Sequence, residues 1–149
     1  MAVQVLIAED EALVALSLAD LLEGEGYDVV LAPDGADALE AARRLGDALG
    51  ALVTDLNMPR MGGEDLIRAL RAERPDLPVV VVTGSAPLGG LEELRRCAGG
   101  DGLLLLLLKP ADCGELAEAL RRAVAANDAG GPVAAAVADD SAPRMALAS

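Results

Sequence analysis

Four apolar runs of this sequence each lead into a residue able to do chemistry. "VQVLIA" (3–8) precedes Glu9, Asp10 and Glu11, "ALVT" precedes Asp55, and four valines precede Thr83. Six consecutive leucines (103–108) precede Lys109, the only lysine of the chain. Brought together, the carboxylates would repel one another and require a cation. Hard oxygen ligands favour magnesium, which keeps several waters and takes few protein carboxylates. A metal held by Asp10 and Asp55, with Glu9 acting directly or through water, would accept a phosphate oxygen as a further ligand. Asp55 would then serve as a nucleophile, forming an aspartyl phosphate. Lys109 and the Thr83 hydroxyl would bind the remaining phosphoryl oxygens and stabilise an in-line transfer. A chain with no histidine can be the acceptor in such a transfer while the donor lies elsewhere.

These residues meet only if the intervening chain folds to bring them to one edge. Strand-like runs at 3–8, 27–32, 51–56, 78–84 and within the leucine stretch alternate with helix-like ones. The helical segments are "EDEALVALSLADLLEGEG", with leucines 13, 16, 18, 21 and 22 at helical spacing, then "ADALEAARRL", "EDLIRALRAE", "LEELRRCA" (91–98) and "DCGELAEALRRAVAA" (112–126). Strands apolar at every position suit a parallel sheet covered on both faces, and their crossovers are right-handed. The expected fold is a flavodoxin-like, doubly wound α/β sandwich of five strand–helix units, a five-stranded parallel sheet of order 2-1-3-4-5. Sites in such sheets lie beyond the carboxyl ends of the strands, where Glu9, Asp10, Asp55, Thr83 and Lys109 fall. One domain over residues 1–126 is predicted. The Ala-, Gly- and Pro-rich tail 127–149 holds too few large apolar groups for a core and is expected to be disordered.

Composition narrows the function. With 25 acids against 12 bases and a formal charge of -13, the chain is a poor binder of nucleic acid or of an anionic membrane. Its hydrophobic fraction of 53% is broken by charges well short of the ~20 residues a spanning helix requires. "MAVQVLIAEDEAL" lacks the basic region of a signal peptide. A soluble, cytoplasmic protein is expected, with Cys97 and Cys113 as ordinary thiols. Absence of histidine removes imidazole acid–base catalysis and most zinc sites. There is no Phe or Trp; Tyr27, the single aromatic, is expected to pack at the core or its edge. The arginine pairs at 43–44, 95–96 and 121–122 read as solvated helix faces.

"VLIAEDEALV", "LVTDLNMPRMGGEDLIRALR", "VVVVTGSA" and "LLKP", in that order, resemble the successive signature blocks of two-component response regulator receiver domains. The resemblance spans residues 3 to 126. It implies that Asp55 is the phosphoacceptor, and that Glu9 and Asp10 are the acidic pair serving Mg2+. It further implies that Asn57 gives a backbone carbonyl ligand, that Thr83 is the switch hydroxyl, and that Lys109, followed by Pro110 in a cis peptide, contacts the phosphoryl group. Bland alternatives exist for single residues: Glu9, Asp10 or Glu11 can simply complement a helix dipole, and at least one of the three is expected to do only that. Two departures stand out. Members of the family usually carry an aromatic residue near the position of Leu106, coupled to the threonine. They also have about four residues between a "GAD"-like turn and the lysine, whereas seven separate Asp101 from Lys109. The extra leucines are expected to form a longer strand, a bulge or a displaced loop.

The leading expectation is a stand-alone receiver, not an enzyme beyond its own phosphorylation and autodephosphorylation. It would take a phosphoryl group from a histidine kinase or histidine phosphotransfer protein and change its affinity for a downstream protein target. A homodimer through the face of the fourth helix and fifth strand is a further expectation. The alternative is a pseudo-receiver, an interaction domain not regulated by phosphate. A haloacid-dehalogenase-like phosphatase is disfavoured because Asp55 is followed by Leu56 and Asn57 rather than opening an Asp-x-Asp motif.

Overall fold

The computed structural model describes residues 3–84, 89–99, 102–109 and 113–128. Strands β1 (Gln4–Ala8), β2 (Asp28–Ala32), β3 (Leu49–Thr54), β4 (Val79–Thr83) and β5 (Leu104–Leu108) alternate with helices α1 (Ala12–Gly24), α2 (Gly35–Leu45), α3 (Gly63–Glu73), α4 (Gly90–Ala98) and α5 (Cys113–Asp128). A short 3-10 turn, Gly46–Ala48, joins α2 to β3. All strand pairs are parallel, in the order β2-β1-β3-β4-β5. The expected flavodoxin-like doubly wound sandwich is therefore present.

Successive strand residues point to opposite faces, and both faces are covered. Val5, Ile7, Val53, Val80, Val82, Leu105 and Leu107 pack with Leu22 of α1 and Leu116 and Leu120 of α5. Leu6, Leu52, Val79, Val81 and Leu104 pack on the other side with Ala38 of α2, Leu66, Ile67 and Leu70 of α3, and Leu94 of α4. Each fully buried leucine or valine contributes about 1.5–3 kcal/mol through removal from water, which explains how an almost purely aliphatic core suffices. Tyr27 packs, partly buried, at the edge of the first layer, as expected.

Three details differ from the sequence reading. The buried stripe of α1 is Ala15, Ala19 and Leu22, with Leu18 and Leu21 partly buried against the same layer, while Leu13 and Leu16 face solvent. Helix α5 continues to Asp128, two residues past the predicted boundary. Among the described residues, the leucine run forms neither a longer strand nor a bulge, and the displaced loop after α4 would fall at residues 100–101, outside those described. β5 has five residues and pairs one-for-one with β4, from Val79↔Leu104 to Thr83↔Leu108. Leu103 is spent on the approach: its carbonyl accepts the Val79 N–H at 2.9 Å and its side chain joins the core. Asp101, the peptide before Pro110, the thiols of Cys97 and Cys113, and the tail from residue 129 lie outside what is described. Among the described residues, no helix is long and apolar enough to cross a membrane.

Candidate functional site

Glu9, Asp55 and Lys109 each sit one residue beyond the end of a strand, and each is tied to a neighbouring strand by its own backbone. The Glu9 N–H donates to the Ala32 carbonyl at 3.0 Å, Asp55 to Ala8 at 3.1 Å, and Lys109 to Thr83 at 2.8 Å. The sheet ladder thus extends one step past its last side-chain pairs, and places the three side chains on the carboxyl-end rim without relying on loops. Asp10 follows Glu9 and is exposed. Thr83 is fully buried at the last position of β4, beside Leu108.

The side chains meet there. Lys109 Nζ lies 2.9 Å from Asp55 Oδ2 and 3.0 Å from Glu9 Oε1, bridging two carboxylates that are almost out of solvent. The other Asp55 oxygen, Oδ1, accepts the backbone N–H groups of Leu56 at 2.6 Å and Asn57 at 3.3 Å. Glu9 Oε2 accepts the Glu11 N–H at 3.1 Å, so Glu11 takes part through its backbone. Behind them, Thr54 Oγ1 donates to the Asp55 carbonyl at 2.8 Å. The start of α3 closes tightly on the same segment: the Gly63 N–H donates to the Leu56 carbonyl at 2.9 Å, and any Cβ at Gly63 would overlap the Asp55 carbonyl oxygen.

Glu9, Asp10 and Asp55 each offer a carboxylate oxygen, and these atoms all lie within 4.8 Å of one another. One ammonium cannot neutralise three carboxylates, and burial disfavours the unpaired charge. Burial accordingly pushes Glu9 above the ordinary glutamate range, against the lowering effects of the Lys109 and Glu11 hydrogen bonds. Burial opposes the charge on Lys109 as well, but its hydrogen bonds to Asp55 and Glu9 more than offset that and hold its pKa above the usual lysine value. A cluster of oxygen donors with net negative charge and one open, exposed member can hold a hard divalent cation. Of the residues picked out from the sequence, Glu9, Asp10, Asp55 and Lys109 converge directly. Asn57 joins them through its N–H, and Thr83 stands next to Lys109 across the β4–β5 pair.

Two polar features of the fold carried no signal of their own in the sequence. Arg71, almost fully buried in α3, donates to the carbonyls of Leu77, Gly99 and Leu103. Asp34, which caps α2 by accepting the Asp37 N–H at 2.9 Å, is also gripped by Arg60. Both join residues distant in sequence, and a helical arginine or a Pro-Asp-Gly turn looks the same without its partner.

Comparison with known proteins agrees with this arrangement. The sequence model of the response regulator receiver domain family matches residues 5–121. A response regulator receiver protein of Anaeromyxobacter sp. is 38% identical over 105 residues, covering 70% of this chain and 42% of its own length. Response regulator MprA of Mycobacterium ulcerans is 39% identical over 108 residues, 70% of this chain and 44% of that protein. This chain spans less than half the length of both relatives. A solved response regulator receiver domain protein from Clostridium thermocellum shares the fold, with a TM-score of 0.76 at 24% identity over 87% of this chain and 98% of that one. The sequence match over most of the folded chain places it: the protein belongs to the response regulator receiver domain family of two-component signalling.

Proposed function

We propose that this protein is a phosphorylation-switched receiver in which Asp55 accepts a phosphoryl group from the phosphohistidine of a kinase or phosphotransfer protein. The observation that carries the reading is the Lys109 ammonium held 2.9 Å from Asp55 and 3.0 Å from Glu9, beside a cluster of three carboxylates. In the transfer, an Asp55 oxygen forms a bond to phosphorus as the donor's P–N bond breaks, and the leaving imidazole nitrogen takes up a proton. The Leu56 and Asn57 N–H groups fix the carboxylate through Oδ1, so its orientation is set before the donor arrives. Lys109 follows the negative charge from the carboxylate onto the phosphoryl oxygens, and Thr83 offers its hydroxyl to the same group. Glu9, Asp10, Asp55 and the Asn57 carbonyl would hold Mg2+, which when bound supplies positive charge to the transferring phosphoryl oxygens.

Phosphorylation adds charge at the rim and biases the surface that reads it, changing affinity for a downstream protein. The readout here works without the usual aromatic. Leu106 lies partly buried beside Val81, two residues before Thr83, on the layer that contains α4. A shift of the Thr83 side would reach α4 through leucine packing. Leu108, 54% exposed at the end of β5, gives the same face an apolar contact for a second copy. Light scattering across concentrations checks this: mass should rise with concentration, and a monomer throughout would count against it. Acceptor chemistry is tested by incubation with acetyl phosphate and Mg2+, which should give an acid-stable, base-labile adduct absent from Asp55→Asn. An adduct of equal yield in that variant would remove the assignment.

A further inference from the structure

Among the described residues, Arg60 is the only non-glycine with positive φ, at 66°. It occupies the centre of a three-residue turn closed by the Met61 N–H on the Pro59 carbonyl at 2.7 Å. Turns of this hand are rare and strained, and a side chain held in such a region persists only where its surroundings fix it. Glycine would fill the position without strain; the chain has a long side chain there instead.

That side chain is what the surroundings hold. Arg60 Nε lies 3.0 Å from Asp34 Oδ2 and Nη2 lies 3.1 Å from Asp34 Oδ1, a two-pronged grip, while Nη2 also reaches Asp37 Oδ1 at 2.9 Å. Asp34 is itself fixed, since it is buried and caps α2. The backbones meet at the same place: the Gly35 N–H donates to the Met61 carbonyl at 3.1 Å, and a Cβ at Gly35 would overlap that oxygen. The start of α2 is therefore a rigid post to which the loop after β3 is tied. The near end of that loop carries Asp55 and Asn57, with Leu56 and Asn57 N–H groups on Asp55 Oδ1. Only Met58 and Pro59 separate Asn57 from Arg60, and proline removes one of the free dihedrals.

We propose that Arg60 is a positioning residue: by tying the strained turn to Asp34 it holds Asn57 and the Asp55 carboxylate in the geometry that binds the metal and receives the phosphoryl group. The inference rests on the function proposed above. Arg60 touches neither group and acts through four residues of loop. As an exposed ion pair alone it would be worth little; its effect comes from fixing a conformation the loop would otherwise leave.

Arg60→Gly separates the two contributions, because glycine tolerates the positive φ but abolishes the tie. In calorimetric titration of the full chain with Mg2+, the wild type binds and Arg60→Gly binds about tenfold more weakly, as for loss of an outer-shell support. Its melting temperature stays equal or rises, since strain is relieved. Labelling by acetyl phosphate slows in parallel and recovers at saturating Mg2+. Arg60→Lys, which keeps the charge without the fork, regains part of the affinity, and Asp37→Ala, which leaves the Asp34 grip, shifts it less than about twofold. Equal Mg2+ affinity in Arg60→Gly and wild type overturns the inference, as does an affinity loss that merely tracks a fall in melting temperature. A wild type that binds no Mg2+ and takes no label instead removes the proposed function itself, a result visible without any Arg60 variant.

Discussion

The two ends of the sheet each contain a cation withdrawn from water, and they are used differently. At the amino ends of β4 and β5, Arg71 is 3% exposed and donates to the carbonyls of Leu77, Gly99 and Leu103. At the carboxyl end of β5, Lys109 keeps 22% of its side chain in solvent and is shared between Glu9 and Asp55. The carbonyls are fixed dipoles whose charge never changes, and a guanidinium stays protonated throughout. Carboxylates can be protonated, bound by a metal or converted to an acyl phosphate, and a flexible ammonium can follow such changes. One end of the sheet is a staple joining α3 to the starts of two strands. The other is a site whose charge balance is left incomplete by the protein alone.

The largest effect expected on stability comes from removing the staple. Arg71→Met removes the charged donor from the carbonyls of Leu77, Gly99 and Leu103, of which Leu103 keeps the Val79 N–H, at about 1–3 kcal/mol for a buried carbonyl left unsatisfied. The midpoint of urea unfolding should fall sharply, and by the same amount with or without Mg2+. A small change, or one that Mg2+ repairs, would erase the contrast between the two ends.

Lys109→Met is expected to cost less, about 2 kcal/mol at neutral pH, because the rim is partly solvated and the unpaired carboxylates can take up a proton or a metal. Here Mg2+ should restore much of the loss, since binding to the folded state alone stabilises it by mass action. Identical unfolding midpoints in EDTA and in excess Mg2+ would show that the rim does not depend on its charge balance.

The smallest and most diagnostic effect is on pH. Glu9 titrates above its ordinary value of 4.5 in the folded chain, so the folded state holds this proton more tightly than the unfolded state. Between 4.5 and that raised value, stability contributed by Glu9 falls as pH rises. Lys109→Met removes a hydrogen bond that lowers the Glu9 pKa, and should extend this decline to higher pH. Lys109 is raised above 10.5, so its own contribution is complete below 10.5 and fades as pH climbs through the folded value. Thermal melting across pH reads both slopes. Arg71→Met should leave them unchanged, and an equal distortion by both variants would dissolve the distinction.

The same contrast explains what could be read from the sequence. The rim was legible because each of its residues ends an apolar run, and in a parallel sheet the ends of such runs converge. The apolar runs indicated a parallel sheet, the flavodoxin-like fold type supplied its order, and the run ends pointed to Glu9, Asp10, Asp55, Thr83 and Lys109. The staple was not legible. Arg71 lies in "EDLIRALRAE" among helical neighbours, and nothing local marks it as buried because its partners are carbonyls 6 to 32 residues away. Arg60 and Asp34 are hidden for the same reason, being 26 residues apart. In α1 the leucine spacing held for Leu18, Leu21 and Leu22, which face the core, but not for Leu13 and Leu16, which are exposed while Ala15 and Ala19 are buried. The leucine run looked too long for its strand because the sequence does not show where pairing starts; Gly102 and Leu103 take up the approach, and β5 keeps the length of β4.

The central claim is that, of the two carboxylates gripped by Lys109, that of Asp55 is the group that becomes phosphorylated. Tandem mass spectrometry after exposure to acetyl phosphate and borohydride reduction locates the modified residue directly. With Mg2+ present, a single modified site at Asp55 is predicted, lost in EDTA and lost in Asp55→Asn. Modification at another carboxylate, or an unmodified Asp55 under conditions where Mg2+ is bound, would contradict the account.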